Sequence, residues 1–246
     1  MDERFDRDGF LTALRRSFDA SGLNQYLTDG REEKYAFLCE RLFSENKRYN
    51  LTAIKNAPRA AYLHFCDSVA LAPLIPENAT LLDVGCGGGF PSLPLAIARP
   101  DLSITAMDST EKKVCYVNES ARLLSLSNIT AVAARAEEAA TGSMRESFDI
   151  VTARAVAALP VLSELCLPFV RVGGVFYAMK GAGAEEETSA SLRAFLTLGG
   201  QLDSVMPLTV LGGDEVQSRV AVAVRKVEKT PADYPRHFSK ISKKPL

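Results

Sequence analysis

The residues with the clearest chemical consequence run from Leu81 to Pro91. Here an apolar stretch, Leu81-Leu82-Asp83-Val84, passes straight into Gly85-Cys86-Gly87-Gly88-Gly89-Phe90. Glycine has no Cβ to hold a ligand away from the backbone. A strand followed by such a turn and then a helix therefore lets a bound molecule approach the chain closely. The N–H groups at the start of the following helix are expected to point outward as donors. Gly85, Gly87 and Gly89 fall on every second residue. A nicotinamide dinucleotide site requires Gly-x-Gly-x-x-Gly and a phosphate loop requires a closing Gly-Lys-Ser or Gly-Lys-Thr, and neither is present. Asp83, just ahead of the turn, would repel a diphosphate and suit a ligand with a cationic end.

Asp108 stands at the end of the second predicted strand. That position places a carboxylate beside the glycine turn, where it can accept hydrogen bonds from both hydroxyls of a ribose. The alternative is that it opens a helix ahead of Ser109 and Thr110.

The elements that must hold these groups follow from periodicity. Short apolar runs at 80–84, 103–107, 129–133, 149–153, 175–179, 201–208 and 219–225 read as strands. Helical periodicity fills 92–98, 110–125, 160–170 and 184–198 between them. This alternation predicts an α/β fold with a mostly parallel sheet covered on both faces. The last two strands are joined through Gly212 and Gly213 without a helical signal, so they predict a C-terminal antiparallel hairpin. Before Pro73 and Pro76 the pattern is helical, with Phe10, Leu14 and Phe18 on one stripe and Tyr35, Leu38, Leu42 and Phe43 on another. Three parts are expected: an N-terminal helical extension over 1–75, a ligand-binding core over 76–228, and a basic C-terminal tail over 229–246.

Composition narrows the class. The chain has 246 residues, 47% hydrophobic and 24% charged, the balance of an ordinary globular domain. No stretch is apolar for long enough to span a membrane, and the charged opening MDERFDRDGF does not resemble an export signal, so a cytoplasmic protein is expected. The five cysteines have no C-x-x-C spacing, which argues for reduced thiols and against a metal site. Net charge is −1, with no overall basic excess to announce nucleic acid, yet residues 225–246 carry seven Lys or Arg against two acids, a net +5.

The pattern Asp-x-Gly-x-Gly-x-Gly with an acid closing the second strand resembles the signature of class I methyltransferases. Further segments narrow the resemblance: Arg48-Tyr49-Asn50-Leu51-Thr52-Ala53-Ile54, Leu63-His64-Phe65-Cys66-Asp67-Ser68, Thr152-Ala153-Arg154-Ala155 and Tyr177-Ala178-Met179-Lys180-Gly181. Together with the glycine turn they closely resemble the bacterial ribosomal RNA small-subunit methyltransferase G family, also called glucose-inhibited division protein B. The matches span residues 48 to 181. The closing Lys243-Lys244-Pro245-Leu246 is similar to the tail of some members, although Phe238-Ser239-Lys240-Ile241-Ser242 stands where those members commonly carry Gly-Thr-Pro.

This resemblance implies a Rossmann-like class I methyltransferase fold and S-adenosylmethionine as cofactor. It also implies methylation of guanine N7 at one position of 16S ribosomal RNA, with that RNA or the small ribosomal subunit as partner. Carried over by position, the cofactor contacts are Gly85, Phe90, Ala136, Glu137 and Arg154; the reading of the residues themselves adds Gly87, Gly89 and Asp108. On the substrate side, Arg154 is suited to the O6 and N7 edge of guanine or to a phosphate. Lys180 either meets a phosphate or is solvated, and His64 with Asp67 either covers the site or supports helix packing. Guanine N7 carries a free lone pair, so no general acid or base is assigned. The alternative is a class I methyltransferase acting on a small molecule or a protein.

Overall fold

The computed structural model describes residues 5–212 and 215–246. The chain opens with α1 (Arg7–Ala20), capped by Asp6 accepting from the Gly9 N–H at 3.0 Å, and α2 (Arg31–Tyr49). The helical run α3 (Ala57–Ala60), a π-helical turn (Ala61–Cys66) and α4 (Asp67–Val69) follow.

The body alternates strand and helix: β1 (Thr80–Val84), α5 (Ser92–Ala98), β2 (Ser103–Asp108), α6 (Glu111–Leu123), β3 (Ile129–Ala133), α7 (Ala136–Ala139) and β4 (Phe148–Arg154). It continues with α8 (Leu159–Cys166), β5 (Val170–Lys180), α9 (Ala184–Thr197), β6 (Gly200–Gly212) and β7 (Glu215–Lys226), and ends with α10 (Phe238–Lys243). The seven strands lie in the order β3-β2-β1-β4-β5-β7-β6. β1 to β5 are parallel, and β7 runs antiparallel to both β5 and β6.

The expected fold class, including its closing hairpin, is therefore the observed one; Gly213, half of the expected glycine joint, lies outside the described residues. β5 starts five residues earlier than the apolar pattern suggests. Arg171-Val172-Gly173-Gly174 does not alternate because it bulges out of β5: Val170 pairs with Phe148 and Val175 already pairs with Ile150. The hairpin is longer than expected at its far end because α1 and the π-helical turn pack there. Ser17 Oγ donates to the Leu211 carbonyl, and a side chain at Gly212 would run into the Tyr62 ring.

The strands are apolar on both faces, as a sheet covered twice requires. Leu81, Ile104, Ala106, Ile150, Val175 and Tyr177 pack under α1, α2, α5 and α6. Their sequence neighbours Leu82, Met107, Val151, Phe176 and Ala178 pack under α8, α9 and α10. Phe10, Leu14 and Phe18 share the first of these clusters with the sheet, so the N-terminal helices close one face of the core. The order of strands reverses between β1 and β4, and in open α/β sheets that reversal leaves a crevice at the carboxyl ends.

Candidate active site

A cavity of about 870 Å³ lies at that crevice, within the usual size of a small-molecule site. The glycine turn forms its floor. Gly85, Gly87 and Gly89 have φ of +76°, +55° and +85°, a conformation that side chains oppose. At Gly87 an added Cβ would meet nothing closer than the Gly85 carbonyl at 4.0 Å, and Gly87 lines the cavity, so bare backbone faces the space. Gly89 differs from its expected role: it is not among the lining residues, and a Cβ there would lie 2.5 Å from Leu93 Cδ1 and 3.3 Å from Val117 Cγ2. It is a packing glycine that lets α5 approach the turn.

Of the N–H groups at the helix start, expected to point outward, that of Leu93 instead donates to the Gly89 carbonyl at 2.8 Å, and the turn ahead of the helix is engaged too. The Gly85 and Cys86 N–H groups donate to the Met107 carbonyl at 2.8 and 2.9 Å, and those of Gly89 and Phe90 donate to the Cys86 carbonyl. Gly87 donates to Asp108 Oδ2 at 3.0 Å. The turn consumes these donors in holding its own shape against β2.

Asp108 accepts from Gly87 with one oxygen and from the Thr110 N–H at 2.8 Å with the other, and lines the cavity with lone pairs remaining on both. It closes β2 and turns the chain toward α6 without capping that helix, whose N-cap is Thr110. Ala136 and Glu137, on α7, line the same end. Asp83 sits behind the wall, fully buried, with Oδ2 accepting from Ser92 Oγ and Oδ1 left without a hydrogen-bond partner. Burial pushes its carboxyl up to about 6, with the Ser92 hydrogen bond and the Arg154 charge opposing. Cys86, also in the turn, has its thiol pushed well above the usual range by burial, so it is no nucleophile.

The opposite end is cationic. Arg154 closes β4 and donates from Nη1 to Asp67 Oδ2 at 2.7 Å and to the Leu63 carbonyl at 3.1 Å. Its guanidinium carbon lies 5.6 Å from the centre of the Phe90 ring. Asp67, on α4, is shared: its Oδ1 accepts from Arg219 Nε on β7 at 3.0 Å. Arg154 and Arg219 thus clamp the buried Asp67 from two sides.

His64 stacks on Phe90 with ring centres 4.7 Å apart. Its Nδ1 lies 3.4 Å from Arg154 Nη2, which can only donate, so Nδ1 is the acceptor and Nε2–H donates to Thr52 Oγ1 at 2.7 Å. Burial first, and the Arg154 charge second, lower its imidazole to about 3. His64 and Asp67 both cover the site and support its packing. Lys180 Nζ holds Glu187 Oε2 at 2.7 Å and the Ala157 carbonyl at 2.8 Å, which ties β5 to α9 and to the loop after Arg154.

The cavity wall therefore gathers nine of the ten expected residues: Gly85, Gly87, Phe90, Asp108, Ala136, Glu137, Arg154, Lys180 and His64. Sequence reasoning missed Arg219, Thr52, Asn46 and Phe238. Asn46 organises the wall from outside, its side chain holding the Leu51 and Thr52 N–H groups at 2.7 and 2.9 Å and the Thr52 carbonyl at 2.8 Å. The polar run Asn46 to Asn50 at a helix end was a usable signal for that loop. Nothing local marks Arg219, which reaches the site only because β7 lies beside β5.

A buried carboxylate oxygen without a partner behind a bare glycine cradle, and a ribose-competent acid beside it, fit a cofactor with a cationic amino-acid end and a nucleoside end. That fit and the strand order define a class I methyltransferase that uses S-adenosylmethionine. Solved structures support the fold. M. jannaschii TYW2 in complex with AdoMet aligns over 65% of this chain and 75% of its own, with a TM-score of 0.53 and 16% identity. An S-adenosylmethionine-dependent O-methyltransferase from Thermotoga maritima aligns over 79% of this chain and 73% of its own, with a TM-score of 0.50 and 14% identity.

Sequence similarity goes further. A family profile described as rRNA small subunit methyltransferase G matches residues 31–211, and the chain belongs to that family. Ribosomal RNA small subunit methyltransferase G of Deinococcus radiodurans is 44% identical over 238 residues, 95% of this chain and 91% of its own. That of Acetivibrio thermocellus is 41% identical over 229 residues, 92% of this chain and 93% of its own.

Proposed function

We propose that the protein methylates N7 of one guanine in the 16S RNA of the small ribosomal subunit, in the cytoplasm. The observation that carries this reading is the two-ended cavity. Asp108 and Glu137 stand at one end and Arg154, Arg219 and Lys180 at the other, with the Phe90 and His64 rings between the glycine turn and the clamp.

S-Adenosylmethionine, when bound, supplies an electrophilic methyl group on sulfur. Gly85, Gly87 and Phe90 would seat it along the turn, Asp108 would take the ribose, and Ala136 with Glu137 would flank the adenine. Asp83 would favour the ammonium from behind the turn.

Guanine N7 attacks with its own lone pair, so the protein's task is placement rather than proton removal. His64 is consistent with this: it stays neutral, yet both ring nitrogens are engaged, so it has no free site for a proton. Arg154, fixed by Asp67 and the Leu63 carbonyl, presents its remaining N–H groups to the O6 edge or to a phosphate. Lys180 retains one N–H beyond its two contacts for the same purpose.

In this reading residues 76–228 are the cofactor-binding core, 1–75 contribute the covering side chains Thr52 and His64, and 229–246 form the tail. Exposed Lys240, Lys243 and Lys244 of the tail are candidate phosphate contacts.

The test is methyl transfer from labelled S-adenosylmethionine to small ribosomal subunits lacking the modification, followed by mapping of the labelled base. Label at a single guanine N7 is the expected result. Cofactor binding without transfer to RNA would favour a small-molecule or protein substrate.

A further inference from the structure

The chain beyond β7 is strapped to the body at several points. Lys226, fully buried, donates from Nζ to Thr230 Oγ1 at 2.7 Å and to the carbonyls of Leu167 and Val170 at 2.8 and 3.2 Å. Arg145 reaches the Thr230 and Tyr234 carbonyls at 2.7 and 2.8 Å. Arg236 then binds the buried Glu164 of α8 three times: through its backbone N–H and its Nε at 2.8 Å each, and through Nη2 at 2.6 Å. Five residues on, Ile241 of α10 is fully buried against α8. Between these two anchors stands Phe238, 39% exposed, and it forms part of the cavity wall.

The strap arrives at one end of the cavity. Ile241 shares its apolar cluster with Leu165 of α8 and with Ala136 and Ala139 of α7. Leu165, Ala136 and Glu137 line the cavity with Phe238. Phe90, at the Arg154 end, belongs to the cluster on the other face of the sheet. Phe238 therefore stands with the nucleoside end rather than with the cationic clamp.

We infer that Phe238 is a further cofactor-binding residue whose ring packs against the purine of S-adenosylmethionine, and that the C-terminal strap is what holds it there. The inference rests on the reading that this cavity binds that cofactor. An aromatic ring complements the π face or edge of a purine and is rigid enough to do so at small entropic cost. A partly exposed phenylalanine held between the Arg236–Glu164 pair and the buried Ile241 is placed by its neighbours and not by burial of its own ring.

The test is calorimetric titration of the full-length protein with S-adenosylmethionine and with adenosine. Phe238→Ala should weaken both by on the order of tenfold, with a melting temperature close to that of the parent because the ring is not part of the core. Phe238→Tyr should restore affinity. Ile241→Ala, which loosens the strap, should weaken cofactor binding in the same direction at a temperature where the protein remains folded. Failure of the parent protein to bind S-adenosylmethionine overturns both readings. Parent-like affinity in folded Phe238→Ala overturns this inference alone, as does a loss confined to RNA binding.

Discussion

Replacing Asp67 by Asn tests the clamp most directly. Asp67 is 2% exposed and accepts from two guanidinium groups, Arg154 at 2.7 Å and Arg219 at 3.0 Å. The amide keeps the shape but removes the charge. Its oxygen can still serve one arginine, while its NH2 then faces donors of the other. One charge-assisted hydrogen bond, about 1.5–3 kcal/mol, is lost outright. Breaking a fully buried pair costs about 3–5 kcal/mol, but the arginines retain 15% and 29% exposure and water screens part of that. A loss of about 2–4 kcal/mol results, and at about 2–4 °C per kcal/mol for a chain of this size the melting temperature should fall by roughly 4–16 °C. Arg154 would lose its fixed direction, and displacement of order 1 Å should lower the methyl-transfer rate on ribosomal subunits by about a hundredfold. Thermal unfolding and single-turnover transfer measure the two effects. An unchanged melting temperature together with parent-like transfer would refute the clamp.

Gly87→Val should abolish cofactor binding by calorimetry, since a branched side chain would enter the cavity from a left-handed backbone position. Gly89→Val should instead lower the melting temperature through collision with Leu93 and Val117. The His64 imidazole should remain neutral between pH 5 and 8 in an NMR titration, and a midpoint above pH 5 would contradict its burial. Because its folded pKa, about 3, lies below the ordinary 6.5, its stabilising contribution is present above pH 6.5 and is lost as pH falls toward 3. His64→Gln should be correspondingly less sensitive to acid over that range. Replacing Lys240, Lys243 and Lys244 together by Ala should reduce the slope of log K against log salt for RNA by roughly 2 if all three touch phosphates, and an unchanged slope would remove them from the interface.

Much of this protein is legible in its sequence because the decisive signals are local. An apolar run entering alternating glycines specifies β1 and its turn, since φ above zero is open to glycine at little cost. β1, β3 and α5 occupy the residues expected from their patterns, and Asp108 and Arg154 sit at strand ends where a parallel sheet opens its crevice. The family segments could be read because each is a short contiguous run.

Tertiary structure alone decided what these residues do to one another. Gly89 looks like its neighbours in sequence, but the approach of Leu93 and Val117 makes it a packing residue. The N–H groups of Gly85, Cys86 and Gly87 are spent on Met107 and Asp108, partners fixed by β2 lying beside β1. Asp67 and Arg219 are 152 residues apart and meet only through the order of strands and the packing of the N-terminal helices. A basic tail reads as a solvated charge run until Glu164, buried on α8, is seen to hold Arg236 and so to bring Phe238 to the cavity. Local sequence can specify backbone conformation because sterics act between neighbours. Charge pairing and cavity shape arise between distant segments, and only the folded chain sets those distances.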